Sequence, residues 1–291
     1  MAYFLALCSA FTAALGAAYQ DREMKAFSEE QAKGIRLFLT SISKPMWWFG
    51  LLVMTGSPIF QYLALRVGNL TQVQPMLTTE LLFILVIIVI THHERPGRTE
   101  WVGAVGIVLG LAVFLFAAQP SGDISTISAK WAIILTVGAL ALVGGIWFFS
   151  RSTQGSLTAA LLGAAAATCF AYQAVMTQIV AGVSILRIFG QPALYALAIG
   201  GTAGFLFFEK ALRAGHIAAS RAAMVIVDPF LSVLIGVCVF HDHLNHTPGA
   251  IIAEVVGLTM LFAGAKVLAT SPLIGKVGPA SPAPEKGGVV A

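Results

Sequence analysis

From Ile217 to Phe240 the chain runs without the polar interruption that an aqueous loop would bring. As a helix rising ~1.5 Å per residue this run reaches roughly 36 Å, against a hydrocarbon core of about 30 Å. Arg221 and Asp228 nevertheless lie inside it. Ionisable groups at such depth are costly in lipid and mark pathways or paired sites. Eight further apolar runs are of similar length: residues 2–19, 46–65, 70–90, 101–118, 131–149, 157–183, 190–208 and 250–269. Lipid offers the backbone no hydrogen-bond partner, so runs of this kind cross a membrane as helices. The expectation is an all-α polytopic membrane protein with about nine transmembrane helices. Its links are short and carry breakers such as Gln119-Pro120-Ser121-Gly122 and Thr247-Pro248-Gly249. Composition agrees: 58% hydrophobic, 10% charged, mean hydropathy +0.87, outside the soluble range.

The stretch around Asp228 has an earlier echo. Ala64-Leu65-Arg66-Val67-Gly68 recurs as Ala211-Leu212-Arg213-Ala214-Gly215. At nearly the same offset Glu80 answers Asp228, Glu94 answers Asp242, and Gly110-Leu111 answers Gly257-Leu258. Several matches at one offset point to an internal duplication. The second, third and fourth runs then correspond to the seventh, eighth and ninth. Five is an odd number of crossings, so the copies are expected in opposite orientations, as two inverted-topology repeats. That plan places a site near the midplane between the halves. The first repeat is expected over residues 1–118, with a charged segment at 21–45, and the second over 131–269. Residues 270–291 are rich in Pro, Gly and Lys with little to bury, and read as a disordered cytoplasmic tail.

Loop charge sets the expected orientation. With the N-terminus outside, the cytoplasmic side receives Arg22, Lys25, Lys33, Arg36, Lys44, Arg95, Arg98, Arg151, Lys210, Arg213, Lys266, Lys276 and Lys286. The outer side receives Arg66, Lys130 and Arg187. Thirteen against three is a strong positive-inside bias. The net charge of +4 is therefore loop asymmetry rather than a nucleic-acid footprint. The first run lacks the positive n-region of a signal peptide and reads as a retained helix. Residues 21–44 read as a cytoplasmic loop with an interfacial piece, or as the remnant of a tenth helix. Cys8, Cys169 and Cys238 lie in apolar segments without metal or disulfide spacing.

Two halves, each with an Ala-Leu-Arg-x-Gly turn before a helix that ends in an acid, resemble the drug/metabolite transporter superfamily of the EamA-like type. The second half is the closer match, with Pro229 and with Asp242 where a Glu is usual. The segment Lys44 to Gly50, KPMWWFG, and the nine-helix count resemble the NIPA-type branch, associated with magnesium. The resemblance covers Met1 to roughly Ala269. It implies a multi-pass protein of the cell's inner (plasma) membrane that moves a small solute by alternating access. Family members commonly have ten helices, and the second helix of the first repeat is missing or degraded here.

The candidate pathway residues are Glu80, Asp228, Arg221, Gln72, Gln74, Thr78 and Gln173. Glu80 and Asp228 fall near the middle of equivalent helices, which meet at the pseudo-twofold axis of an inverted repeat; the alternative is a structural ion pair with Arg221. Arg221 lies seven residues before Asp228, ~10 Å along the axis, so it pairs with either acid only by leaning. The third run opens with Asn69, Thr71, Gln72, Gln74 and Pro75, then Thr78 and Thr79. Pro75 frees a carbonyl, and the whole offers oxygen ligands to an organic solute or a hydrated cation. Gln173 and Thr177 share a face at i,i+4. His241, Asp242, His243 and His246 invite a metal reading without helical register; the metal is left unassigned. Glu254 reads first as structural, favouring a helix dipole. Gly106 and Gly110 form GxxxG, a close-packing or homodimer face. Ala218 and Ala222 similarly read as a packed face.

No phosphate-binding loop, catalytic triad or haem motif occurs, so neither an enzyme nor a cofactor is expected. The partners expected are a small-molecule or ion substrate and the lipid bilayer. A magnesium transporter is the alternative within transport, and a non-transporting membrane scaffold or subunit is the alternative outside it.

Overall fold

The computed structural model describes residues 1–25, 45–92, 95–120, 127–214, 216–242, 244–245 and 247–274. Among these it is all helix, with no strand. The helices are α1 (Ala2–Lys25), α2 (Pro45–Leu65), α3 (Leu70–Leu77), α4 (Glu80–His92), α5 (Arg98–Ala118), α6 (Ala129–Ser150), α7 (Gly155–Ala181), α8 (Pro192–Arg213), α9 (Ile217–Cys238) and α10 (Pro248–Ala269). A 3-10 turn at Ile185–Gly190 joins α7 to α8.

Eight spans among the described residues are long and apolar enough to cross a membrane, α3 and α4 together counting as one. This is the architecture of a multi-pass membrane protein. The other expected crossing, 46–65, forms α2, a helix of 21 residues packed along α1. α1 runs on through Asp21 to Lys25, beyond the apolar run at 2–19. The remainder of the charged segment, 26–44, lies outside the described residues, as do Glu94, His243 and His246.

The surface is inverted relative to that of a water-soluble bundle. α6 touches chiefly α7 and exposes Ile133, Val137, Leu140, Phe148 and Phe149, as lipid-facing residues must. α7 is the central helix. Its Ala-rich sequence leaves little side-chain bulk, so α2, α6, α8 and α9 all pack against it. A β-carbon at Gly163 of α7 would sit 2.5 Å from the Ser220 carbonyl of α9. That close contact is at Ser220; Ala218 is exposed, so the packed face of α9 is displaced from the one expected at Ala218 and Ala222.

The tightest helix pair is α5 on α10. Gly103 approaches the Gly264 carbonyl, and Gly110 approaches the Gly257 carbonyl and the Leu261 amide. The partner number falls as the residue number rises, so the two helices run antiparallel. Gly106 packs on Gly264 and Met260. The GxxxG face expected for close packing or a homodimer is thus covered within the chain itself. Gly110 and Gly257, the residues paired by the internal echo, face each other across this crossing.

Contacts between distant residues define two ends of the bundle. At one end Ala2 meets Gly68, the Gln72 side-chain amide donates to the Pro120 carbonyl, and the Asn245 amide donates to the Ala118 carbonyl. At the other end the Ser271 hydroxyl meets Glu100, and Gly155 lies beside His216.

Candidate functional site

The third apolar run is not one helix. Pro75 has no N–H to offer the Thr71 carbonyl. Just after it the Thr78 hydroxyl donates to the Pro75 carbonyl at 2.6 Å, and the Thr79 hydroxyl donates to the Met76 carbonyl at 2.7 Å. Backbone bonds tighten to the 3-10 pattern here, Thr79 N to Met76 O at 3.1 Å and Leu82 N to Thr79 O at 2.9 Å. The break ends α3 and makes Glu80 the first residue of α4. A carboxylate at a helix start is favoured by the helix dipole, and discontinuous helices of this kind form ion and substrate sites in membrane transporters.

Glu80 lies about 15 Å from the start of α3, and Asp228 about 16 Å from the start of α9 at the opposite end. Both are therefore near the middle of a ~30 Å apolar slab. Both are half-buried. Asp228 Oδ1 accepts a 3.5 Å hydrogen bond from the Ser232 hydroxyl. Pro229 follows it without breaking α9 and removes the bond that the Val225 carbonyl would otherwise accept.

Arg221 lies one turn into α9 rather than at mid-depth. Its Nη1 donates to the Ile274 carbonyl at 3.1 Å.

The other expected residues divide. Gln74 is 3% exposed and its Nε2 makes no hydrogen bond within the protein. Gln178 of α7, which the sequence marks beside Gln173 and Thr177, is similarly buried with Oε1 unbonded. Gln173 packs against Gly201 of α8, while the Thr177 hydroxyl donates back to the Gln173 carbonyl. Thr78 closes α3. Gln72 belongs to a capping box: its N–H donates to Asn69 Oδ1 at 3.0 Å, and its Oε1 accepts from the Asn69 amide at 3.4 Å. That places Gln72 at the end of the bundle, away from the acids.

Asp242 also serves α3. Its Oδ2 accepts from the Thr71 amide at 3.2 Å and from the Thr71 hydroxyl at 2.7 Å. Gly236 allows this, since a β-carbon there would sit 2.6 Å from Thr71 Oγ1 and 2.8 Å from Asp242 Oδ2. An acid from the second half thereby caps the broken helix of the first. Among the described residues no group of three metal-ligating side chains occurs. Asp242→Ala is expected to destabilise the protein by about 2 kcal/mol, the scale of a lost charged N-cap with a second hydrogen bond. Denaturation in detergent checks this, and Asp242→Asn should recover part of the loss.

The fold defines a multi-pass helical membrane protein with an acid near the middle of each of two spans. No protein-family model matches the chain. An uncharacterized protein of Corynebacterium glutamicum is 27% identical over 250 residues, covering 83% of this chain and 85% of that protein. No solved structure matches.

Proposed function

We propose that this chain is a secondary transporter of the drug/metabolite transporter type, seated in the cell's inner membrane. It moves a small solute by alternating access and couples that movement to protons. The observation that carries this reading is the placement of Glu80 and Asp228 each near the middle of its span, with a helix break just before Glu80 and Asp228 bonded to Ser232. Two acids offset by one arginine leave a site suited to one positive charge at a time, a proton or a cationic solute. Buried amides with unbonded atoms at Gln74 and Gln178 add hydrogen-bonding capacity where a dry core would have none. The antiparallel meeting of Gly110 and Gly257 supports the inverted-repeat plan. Arg221 disfavours the magnesium alternative, because its charge would oppose a dication within the bundle. Acids at mid-depth disfavour an inert scaffold, since lipid penalises them.

Flux of candidate solutes into proteoliposomes under an imposed pH gradient tests the function. Absence of gradient-driven flux for every cation and metabolite tried, from protein shown to be folded, would overturn it. The membrane orientation has its own expected result. A reporter fused after Lys286 and a cysteine label at Ser28 should both read as cytoplasmic, following the thirteen-to-three charge bias. An outside reading after Lys286 overturns the topology, and an outside reading at Ser28 alone restores a tenth helix.

A further inference from the structure

α6 and α8 both pack on α7 and touch each other little, which leaves a cleft between two peripheral helices. Of α6 only Ser150 is buried, so its wall of the cleft faces lipid. At the end of the bundle marked by Glu100 and Ser271, basic and aromatic side chains from both walls meet. The Arg151 guanidinium lies 4.1 Å from the centroid of the Trp147 ring. Lys210 Nζ of α8 lies 5.9 Å from the same ring and 5.6 Å from that of Phe207. One indole thus serves two cations, and its face offsets part of their mutual repulsion. Among the described residues neither cation is in an ion pair; Glu209, also on α8, pairs instead with Arg213 at 3.4 Å. Nor are the cations spent on the end of α6, whose last carbonyls take hydroxyl donors. Ser150 donates to Trp147 at 2.7 Å, Ser152 to Phe149 at 2.9 Å and Thr153 to Ser150 at 3.1 Å. Those bonds also fix the turn into α7, and with it the position of Arg151.

We propose that Arg151, Lys210 and Trp147 form a site for the phosphate of an anionic membrane phospholipid, whose acyl chains lie along the cleft between α6 and α8. Two cations without a carboxylate call for an anion. The guanidinium fork suits phosphate in a bidentate grip, and the ammonium adds a point charge. A tryptophan at a helix end marks the level where hydrocarbon gives way to headgroups. Below it, Leu140 and Phe148 of α6 and Leu206 of α8 are exposed and offer the chains an apolar surface. A free phosphate would gain the charges but nothing from that surface. A zwitterionic lipid carries a cationic group that both side chains repel, so the site selects by charge. The orientation expected from loop charge puts this end in the cytoplasmic leaflet, whose lipids are the anionic ones. The site stands apart from the transport reading and needs no solute.

Native mass spectrometry of the full chain in an uncharged detergent tests the site, with phosphatidylglycerol or phosphatidylcholine added. The parent protein should retain a phosphatidylglycerol at concentrations where phosphatidylcholine is lost. A basic residue near a membrane surface contributes about fivefold in affinity for anionic lipid. Arg151→Gln and Lys210→Gln should therefore each weaken retention about fivefold, and the double variant roughly twenty-five-fold. Trp147→Leu should weaken it as well, whereas Trp147→Phe keeps a ring face and should retain most of it. Lys130→Gln and Arg187→Gln, at the opposite end of the bundle, should change nothing. Arg151 and Lys210 are exposed, so their variants keep the fold, and equal melting temperatures in lipid-free detergent confirm it. Excess inorganic phosphate should leave the lipid in place. Displacement by inorganic phosphate would make this a free-anion site and overturn the lipid as its occupant. Equal retention of the two lipids, or equal losses from Lys130→Gln and Arg187→Gln, would overturn the site itself.

Discussion

Gly110→Ala is expected to lower the stability of the detergent-solubilised protein by about 3 kcal/mol or more, and Gly110→Leu to prevent folding. The added β-carbon would sit 2.3 Å from the Leu261 amide nitrogen and 2.7 Å from the Gly257 carbonyl. Both are backbone atoms of α10 and have no rotamer into which to retreat. Relief requires α5 and α10 to separate, and in lipid no hydrophobic force draws them together again, because helix association there depends on close packing. Each kcal/mol is about 2–4 °C in a chain of this size, so the apparent melting temperature should fall on the order of 10 °C for the alanine variant. Gly144→Ala on α6 is the control. Nothing lies within 4 Å of a β-carbon there, and the better helix propensity of alanine should leave stability equal or slightly higher. If Gly110→Ala melts with the parent protein, the α5–α10 crossing is placed wrongly.

Glu80→Gln and Asp228→Asn should fail in different ways. Glu80 opens α4 just after the break at Thr78 and Thr79, where a carboxylate favours the helix dipole, whereas Asp228 lies mid-helix beside Ser232. Neutralising Glu80 is therefore expected to cost about 1 kcal/mol of stability. Asp228→Asn removes an acid with no such helix-start role. It should leave melting within about 1 °C of the parent and abolish the dependence of flux on a pH gradient, because a permanent amide cannot exchange the coupling proton. Magnesium transport would give another pattern, with both substitutions weakening metal flux and neither altering proton coupling. Melting, gradient-driven flux and magnesium flux on the two variants separate the cases. Wild-type flux of every solute in both variants would defeat the central-acid mechanism.

How far the site was legible can be judged residue by residue. Glu80, Asp228 and Arg221 stand out in sequence because lipid makes ionisable groups costly wherever an apolar run contains them. Pro75 announced a disturbed helix. It did not reveal that Thr78 and Thr79 would turn their hydroxyls onto the chain and restart a helix at Glu80. Gln72 had the chemistry of a pathway residue and is a helix cap, a role decided by the backbone of Asn69 and the carbonyl of Pro120. Glu100 drew no attention, because a glutamate at a helix start is unremarkable until its neighbours are known. Ser271–Ile274 were assigned to the tail on composition, which averages over a window and misses two apolar residues, Leu273 and Ile274, that find a place in a core.

The sequence by itself determined that the chain is helical and that its long runs suit a bilayer. The reason is that lipid satisfies no backbone group and tolerates few charges, so run length and residue order suffice. Only the tertiary structure decided which distant groups meet: Arg221 with the Ile274 carbonyl, Asp242 with Thr71, Gly110 with Gly257. Helices that are apolar nearly all round carry no periodic mark of the face they will bury. The pairing is chosen by backbone approach at small residues and by the few polar atoms that must find partners, and neither is a local property of the chain.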